Sequence, residues 1–121
     1  MPFAVSDAVS GVLHTALDGV AARQQVVADN IANVDTPGFR ATSVDFESSL
    51  KAAIARGDFA DGEATVQMAS TPTNTPVGEN GNNVDLRKET LSAMQSQYSF
   101  QVLSRAVSDR MAWITSATSS R

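Results

Sequence analysis

Cysteine is absent from the chain, which excludes disulfides, thiol nucleophiles and thiolate metal sites. Histidine occurs once, at His14, with no second ligand one helical turn away, too little for a histidine metal site or an activated nucleophile. Aromatic residues make up only 6% of the chain, thin for a compact globule. Positive charge is scarce as well: nine scattered Lys and Arg stand against 13 Asp and Glu, for a net charge of −4. Nucleic acid and anionic membranes are held by basic patches, so neither is an expected partner. No apolar run approaches the roughly 20 residues that span a bilayer, so direct membrane insertion is not expected. Asp7, His14, Asp18 and Arg23 interrupt what would be the apolar core of a cleaved secretory signal. A chain of this kind that leaves the cytoplasm is expected to do so without signal cleavage. What is present, 42% hydrophobic residues in 121, suffices for one domain with a modest core.

The pattern predicts a mainly α-helical fold: two long terminal helices packed as an antiparallel, coiled-coil-like pair, with a partly irregular middle containing one short helix. Three segments follow, an N-terminal helix over 1–34, a turn with a short helix and a flexible polar stretch over 35–84, and a C-terminal helix over 85–121. The first helix is expected from about Ser6 to Asn33, with Ser6 or Asp7 as N-cap. Leu13, Leu17, Val20, Gln24, Val27, Ile31 and Val34 alternate spacings of four and three, the period of a coiled-coil seam. Asp18, Arg23, Gln25, Asp29 and Asn30 fall on the opposite face. Gly11 and Gly19 each cost about 1 kcal/mol of helix propensity relative to alanine, so packing must hold this helix in place.

The last helix is expected from about Leu86 to Ala117, with Asp85 as N-cap and Glu89 complementing the dipole in the first turn. It carries two apolar stripes about 150° apart on a helical wheel. Met94, Tyr98, Val102 and Trp113, with Leu91 and Ala106, form the stripe expected to pack on Leu13, Leu17, Val20, Val27 and Ile31 of the first helix. Phe100, Leu103, Val107, Met111 and Ile114 form the second. The middle is poor in apolar residues, so this second stripe is expected to meet other subunits, with its aromatics and Met acting as contact anchors.

In the middle, Asp45 is expected to cap a short helix through Phe46, Leu50 and Ile54, with a Glu47–Lys51 pair and Gly57 just past its end. Thr65–Met68 is the only strand-like alternation. Residues 71–83 are a loop by composition and have little to bury. Asp58, Asp61 and Glu63, and the later run Glu79, Asn80, Asn82, Asn83 and Asp85, lack Ca²⁺-loop spacing. Gly78–Gly81 lacks the ending of a phosphate loop. No catalytic, cofactor or metal site is expected, and the chain reads as a non-enzyme.

The richest local signal is Asn33-Val-Asp-Thr-Pro-Gly-Phe39. Pro37 presets φ for the second position of a type II turn, and Gly38 supplies the positive φ of the third. Asn33 is expected to close the helix in the left-handed conformation. Ala32, Asn33, Thr36, Pro37, Gly38 and Phe39 also match the signature of the flagellar basal-body rod and hook family, roughly Ala-Asn-x-x-Thr-Pro-Gly-aromatic, with Phe39 where Tyr is more usual. Gly81-Asn82-Asn83-Val84-Asp85, followed by Glu89 and Tyr98, resembles the segment that opens the last helix in one proximal-rod branch of that family. The sister branch, FlgC, usually shows a Tyr or Phe followed soon by Ala-Asn or Thr-Asn, whereas Ser99-Phe100-Gln101-Val102 follow Tyr98 here. The matched stretches cover about half the chain.

The resemblance implies a structural subunit of the rod, the shaft that crosses the periplasm and transmits motor torque. It implies export in an unfolded or nearly unfolded state by the flagellar type III apparatus, without signal cleavage, and folding during assembly, with the terminal helices lining the inner layer of a tube. Implied partners are other copies, the sister rod proteins FlgC, FlgF and FlgG, and the FliE adaptor that joins the rod to the MS ring. Phe3 and Val5, expected ahead of the first helix, are candidates for part of the export signal. The alternatives are FlgC or another rod subunit and, in a different class, a soluble helical export chaperone or adaptor that would form a discrete dimer.

Overall fold

A computed structural model of the chain describes residues 2–119, with side chains from Asp7 to Thr118. Helix α1 spans Pro2–Ala32 and helix α3 spans Leu86–Ser119. Between them lie strand β1 (Thr42–Val44), helix α2 (Glu47–Ala55) and strand β2 (Ser70–Pro72). The two long helices are antiparallel: Arg110 Nε donates to Ser10 Oγ at one end, and Gln24 Nε2 donates to Gln97 Oε1 further along. Gln24, the polar seam residue, thus finds its partner on the opposing helix.

Helix α1 starts earlier than its capping residues indicate. Pro2 opens it, a position where the missing N–H costs nothing, and Ser6 and Asp7 lie inside the helix rather than capping it. Phe3 and Val5 accordingly fall within the backbone of α1, and their side chains lie outside the described residues. At α3 the cap is as expected, since the Lys88 N–H donates to Asp85 Oδ1 at 3.2 Å.

The middle segment folds back onto the helix pair. Val20 of α1, Val44 of β1 and Phe46 form the buried centre, and Ala16, Val26, Leu50, Met68, Phe100 and Leu103 pack around it. Gly19 makes this possible: any Cβ there would drive into the Phe46 ring. Gly11 does the same one step along the helix, where the Gly62 carbonyl lies against it. The two glycines that weaken α1 as an isolated helix are therefore the places where the middle segment touches its backbone.

Helix α2 ends in a Schellman motif. Gly57 has φ +74°, its N–H reaches Ile54 O at 3.0 Å, and the Asp58 N–H reaches Ala53 O at 3.0 Å. Phe59 and Ala53 are buried beside it. Strands β1 and β2 pair antiparallel with Ser43 opposite Thr71. Thr65–Met68, expected as a strand, is not one. Its alternation shows up as half-buried Val66 and Met68 between exposed neighbours, and the ladder forms four to five residues later, opposite β1. The turn-like stretch after α2 buries Phe59 and brings Gly62 against Gly11 of α1, while the loop over 71–83, expected to have little to bury, buries Asn82 and Asn83 near its end.

Candidate functional site: the turn clamp and the outward face of the last helix

At the exit of α1, the Phe39 N–H donates to Thr36 O at 3.2 Å across Pro37 and Gly38, and Gly38 has φ +77°. This is the geometry expected of a Pro-Gly type II turn. Asn33 departs from expectation. Among the described residues only glycines have positive φ, so Asn33 is not left-handed. Its side chain does the closing instead: Nδ2 donates to Asp29 O at 2.8 Å, and Oδ1 accepts the Thr36 hydroxyl at 3.0 Å. Ala32, Thr36, Pro37 and Gly38 are exposed, while Asn33 and Phe39 are half-buried.

This turn docks on the loop that leads into α3. Asn82 Nδ2 donates to Asn33 O and Thr36 O, both at 2.8 Å, and its Oδ1 accepts the Val84 N–H at 2.8 Å. Asn83 Oδ1 accepts the Ala41 N–H at 2.6 Å, and the Asn83 N–H donates to Phe39 O. The Gly38 N–H donates to Asn80 O at 2.9 Å. Gly81, with φ +81°, lies so close to Gly38 that a Cβ would come within 3.2 Å of the Gly38 Cα. On the other side, the buried Asn30 side chain pairs with both backbone groups of Thr42. Three buried asparagines thus satisfy backbone groups at the end of α1, the start of β1 and the approach to α3. A carboxamide offers both a donor and an acceptor, which is what such bridging needs.

Arg23 forms a second anchor. Its Nε and Nη2 donate to Val44 O at 3.2 and 2.6 Å. Nη1 and Nη2 grip the Glu47 carboxylate at 2.8 and 2.5 Å, and the guanidinium carbon sits 4.9 Å from the Phe46 ring centroid. These hydrogen bonds hold the Glu47 carboxyl below its ordinary range. The expected Glu47–Lys51 pair does not form, because Arg23 takes the carboxylate. Arg23 and Asn30 read from the sequence as members of a solvated face. Their partners, Thr42, Val44 and Glu47, lie beyond the Pro37-Gly38 turn, and no local pattern around Arg23 or Asn30 marks them.

The two stripes of α3 do not divide as expected. Phe100 and Leu103 pack on the Val20–Val44–Phe46 centre, and Val107 is half-buried. Met94 (66% exposed), Tyr98 (70%) and Trp113 (81%) face outward with Leu91 and Val102. Met111 and Ile114, expected at the subunit interface, are exposed. On α1, Val20 and Val27 are buried and Leu13, Leu17 and Ile31 half-buried. The physical reason lies in the middle segment. Phe46 and Met68 fill the space beside α1, so the inward side of α3 is built with small and polar groups, buried Ser96 and Glu89 among them. Leu91, Met94, Tyr98 and Val102 are left outside as an apolar run, and Trp113 follows beyond exposed Arg105 and Asp109.

His14 is exposed, and among the described residues no three His, Asp or Glu side chains gather as metal ligands. No described helix is long and apolar enough to cross a membrane. The site offers backbone fastening at one end and apolar contact area along one side, the equipment of a building block.

A family model described as "Flagella basal body rod protein" matches residues 12–40, the greater part of α1 together with the turn. The flagellar basal body rod protein FlgB of Bacillus subtilis is 32% identical over 101 residues, which cover 75% of this chain and 78% of the relative. The chain belongs to the FlgB family of flagellar basal body rod proteins. FlgB of Escherichia coli is 32% identical over 122 residues, covering 87% of this chain and 88% of the relative. FlgB of Borreliella burgdorferi is 30% identical over 108 residues. In this FlgB-family chain the family match ends on the turn that Asn82 grips.

Proposed function

We propose that this chain is a structural subunit of the flagellar basal-body rod, in its proximal part, where it helps carry motor torque through the periplasm. The observation that supports this most is the outward stripe of α3: five large apolar side chains, Leu91, Met94, Tyr98, Val102 and Trp113, stand exposed along some six turns of one helix. A surface of this kind is an association surface, and Tyr, Trp and Met are the residues that anchor such contacts. Its partners in the proposal are other copies, the sister rod proteins FlgC, FlgF and FlgG, and the FliE adaptor at the MS ring. Delivery is by the flagellar type III export apparatus, without a cleaved signal.

A subunit that bears torque needs stiffness more than chemistry, so no catalytic role is proposed. The asparagine clamp suits that task. It ties the exit of α1, the middle segment and the entry to α3 together, so that twist on one element is passed to the others. Exposed apolar area on Met111 and Ile114, off the main stripe, gives the same helix contacts in a second direction, as a tube of heterologously associated subunits requires. A density map of isolated basal bodies with this chain traced tests the proposal. The expected result is the chain in the rod with its α3 stripe against neighbouring subunits. A rod that does not contain the chain, or a stripe facing open solvent, would overturn it.

A further inference from the structure

The outward side of α3 differs at its two ends. Near its start, Leu86, Thr90, Leu91, Met94 and the stem of Arg87 wall an open, mostly apolar notch of about 580 Å³. Near its end, the Trp113 indole projects into solvent, with exposed Asp109 one turn before it. Among the described residues neither Arg87 nor Asp109 forms an ion pair. Arg87 precedes Leu91 by four positions, as Asp109 precedes Trp113, and the two pairs stand 22 positions apart. Positions four apart share a helix face. One displacement therefore brings both pairs into register: a parallel neighbour shifted by 22 residues, about 33 Å at 1.5 Å per residue, sets Trp113 over Leu91 and Asp109 beside Arg87.

We infer that the notch at the start of α3 receives Trp113 of a second copy of this chain, in a head-to-tail contact between parallel α3 helices. This rests on the rod-subunit proposal and states which part of one copy meets which part of the next. Charge decides the direction. An antiparallel pair that placed Trp113 on Leu91 would face Arg87 with Ala117 and Asp109 with Gln95, leaving both charges without an opposite. In the parallel register the guanidinium can pair with the carboxylate and lie along the indole face, two contacts for which Arg is suited. The indole fills an apolar notch, as contact anchors do. Each copy retains a free knob at one end and a free notch at the other, so the contact does not close on itself and copies add in a row.

The absence of cysteine makes a site-directed test clean. Gln95 and Ala117 are exposed and also stand 22 positions apart, so they flank the contact. Cells that produce Gln95→Cys and Ala117→Cys chains together should yield, on oxidation of isolated basal bodies, a crosslinked dimer with one chain of each kind. Arg87→Glu should lower that product about tenfold, and combining it with Asp109→Arg should restore it, because the pair is then inverted rather than broken. Basal bodies that hold both chains yet give no mixed product, or only like-with-like dimers, overturn the inference and leave the rod-subunit proposal standing. Basal bodies that lack the chain overturn both.

Discussion

The two faces of α3 are built against the usual sorting of side chains. The inward face buries Ser96 and Glu89 and relies on Phe100 and Leu103 for its apolar contact. The outward face exposes Leu91, Met94, Tyr98, Val102 and Trp113. In a protein that works alone, exchanging these sets would bury more apolar area at about 25 cal/mol per Å². Here the monomer makes do with a small centre, and the larger apolar area lies outside, where the proposed function places neighbouring subunits. The inward face is also where the middle segment enters: Phe46 reaches α1 through the gap at Gly19 and takes the place a larger α3 side chain would fill.

The contrast can be broken from either side. The largest loss of monomer stability is expected for Phe46→Ala, which empties the centre against Val20 and Val44. Denaturant titration of the helical circular dichroism signal should show a loss of about 3–5 kcal/mol. Next is Asn82→Ala, which removes one of the two donors to each of the Asn33 and Thr36 carbonyls and the acceptor of the Val84 N–H. A loss of about 1–3 kcal/mol is expected, and amide exchange should quicken first between 33 and 42 and between 78 and 84.

A smaller effect belongs to the Arg23–Glu47 pair, whose carboxylate is over half exposed and therefore screened. The Glu47 pKa is lowered in the folded chain by the Arg23 hydrogen bonds. The pair's contribution is thus complete above the ordinary carboxylate pKa of 4.5 and is lost as pH falls through the lower folded value. Wild type should lose at most about 1 kcal/mol more than Glu47→Gln on acidification below that point, read as the difference between two pH titrations of stability. The smallest change in the monomer is expected for Tyr98→Ser combined with Trp113→Ser. Exposed positions shift stability by about 0.5 kcal/mol or less, yet this double variant should lose incorporation into basal bodies. A large loss of monomer stability instead would mean that the outward face is part of the core.

Local signals were legible where local chemistry sets the structure. The seam spacing from Leu13 to Ile31, the Asp85 cap, the Gly57 stop and the Pro37-Gly38 turn all act within a few residues, and the sequence shows them. The family signature was legible for the same reason, being a turn with demanding backbone angles. What could not be read was set by distant partners. Asn82 meets Asn33 across 49 positions and Asn83 meets Ala41 across 42. Which stripe of α3 faces inward depends on where Phe46 and Met68 come to rest, and two apolar stripes on one helix carry no mark of that choice. Arg23 looked solvated because its partners, Val44 and Glu47, lie beyond the turn.

The central claim is that the outward face of α3 is covered only in the assembled rod. Hydroxyl-radical footprinting of Met94, Tyr98 and Trp113 tests it directly, comparing the free chain with isolated basal bodies. The account predicts heavy oxidation of all three in the free chain and strong protection in the basal body. Equal oxidation in the two states would contradict it.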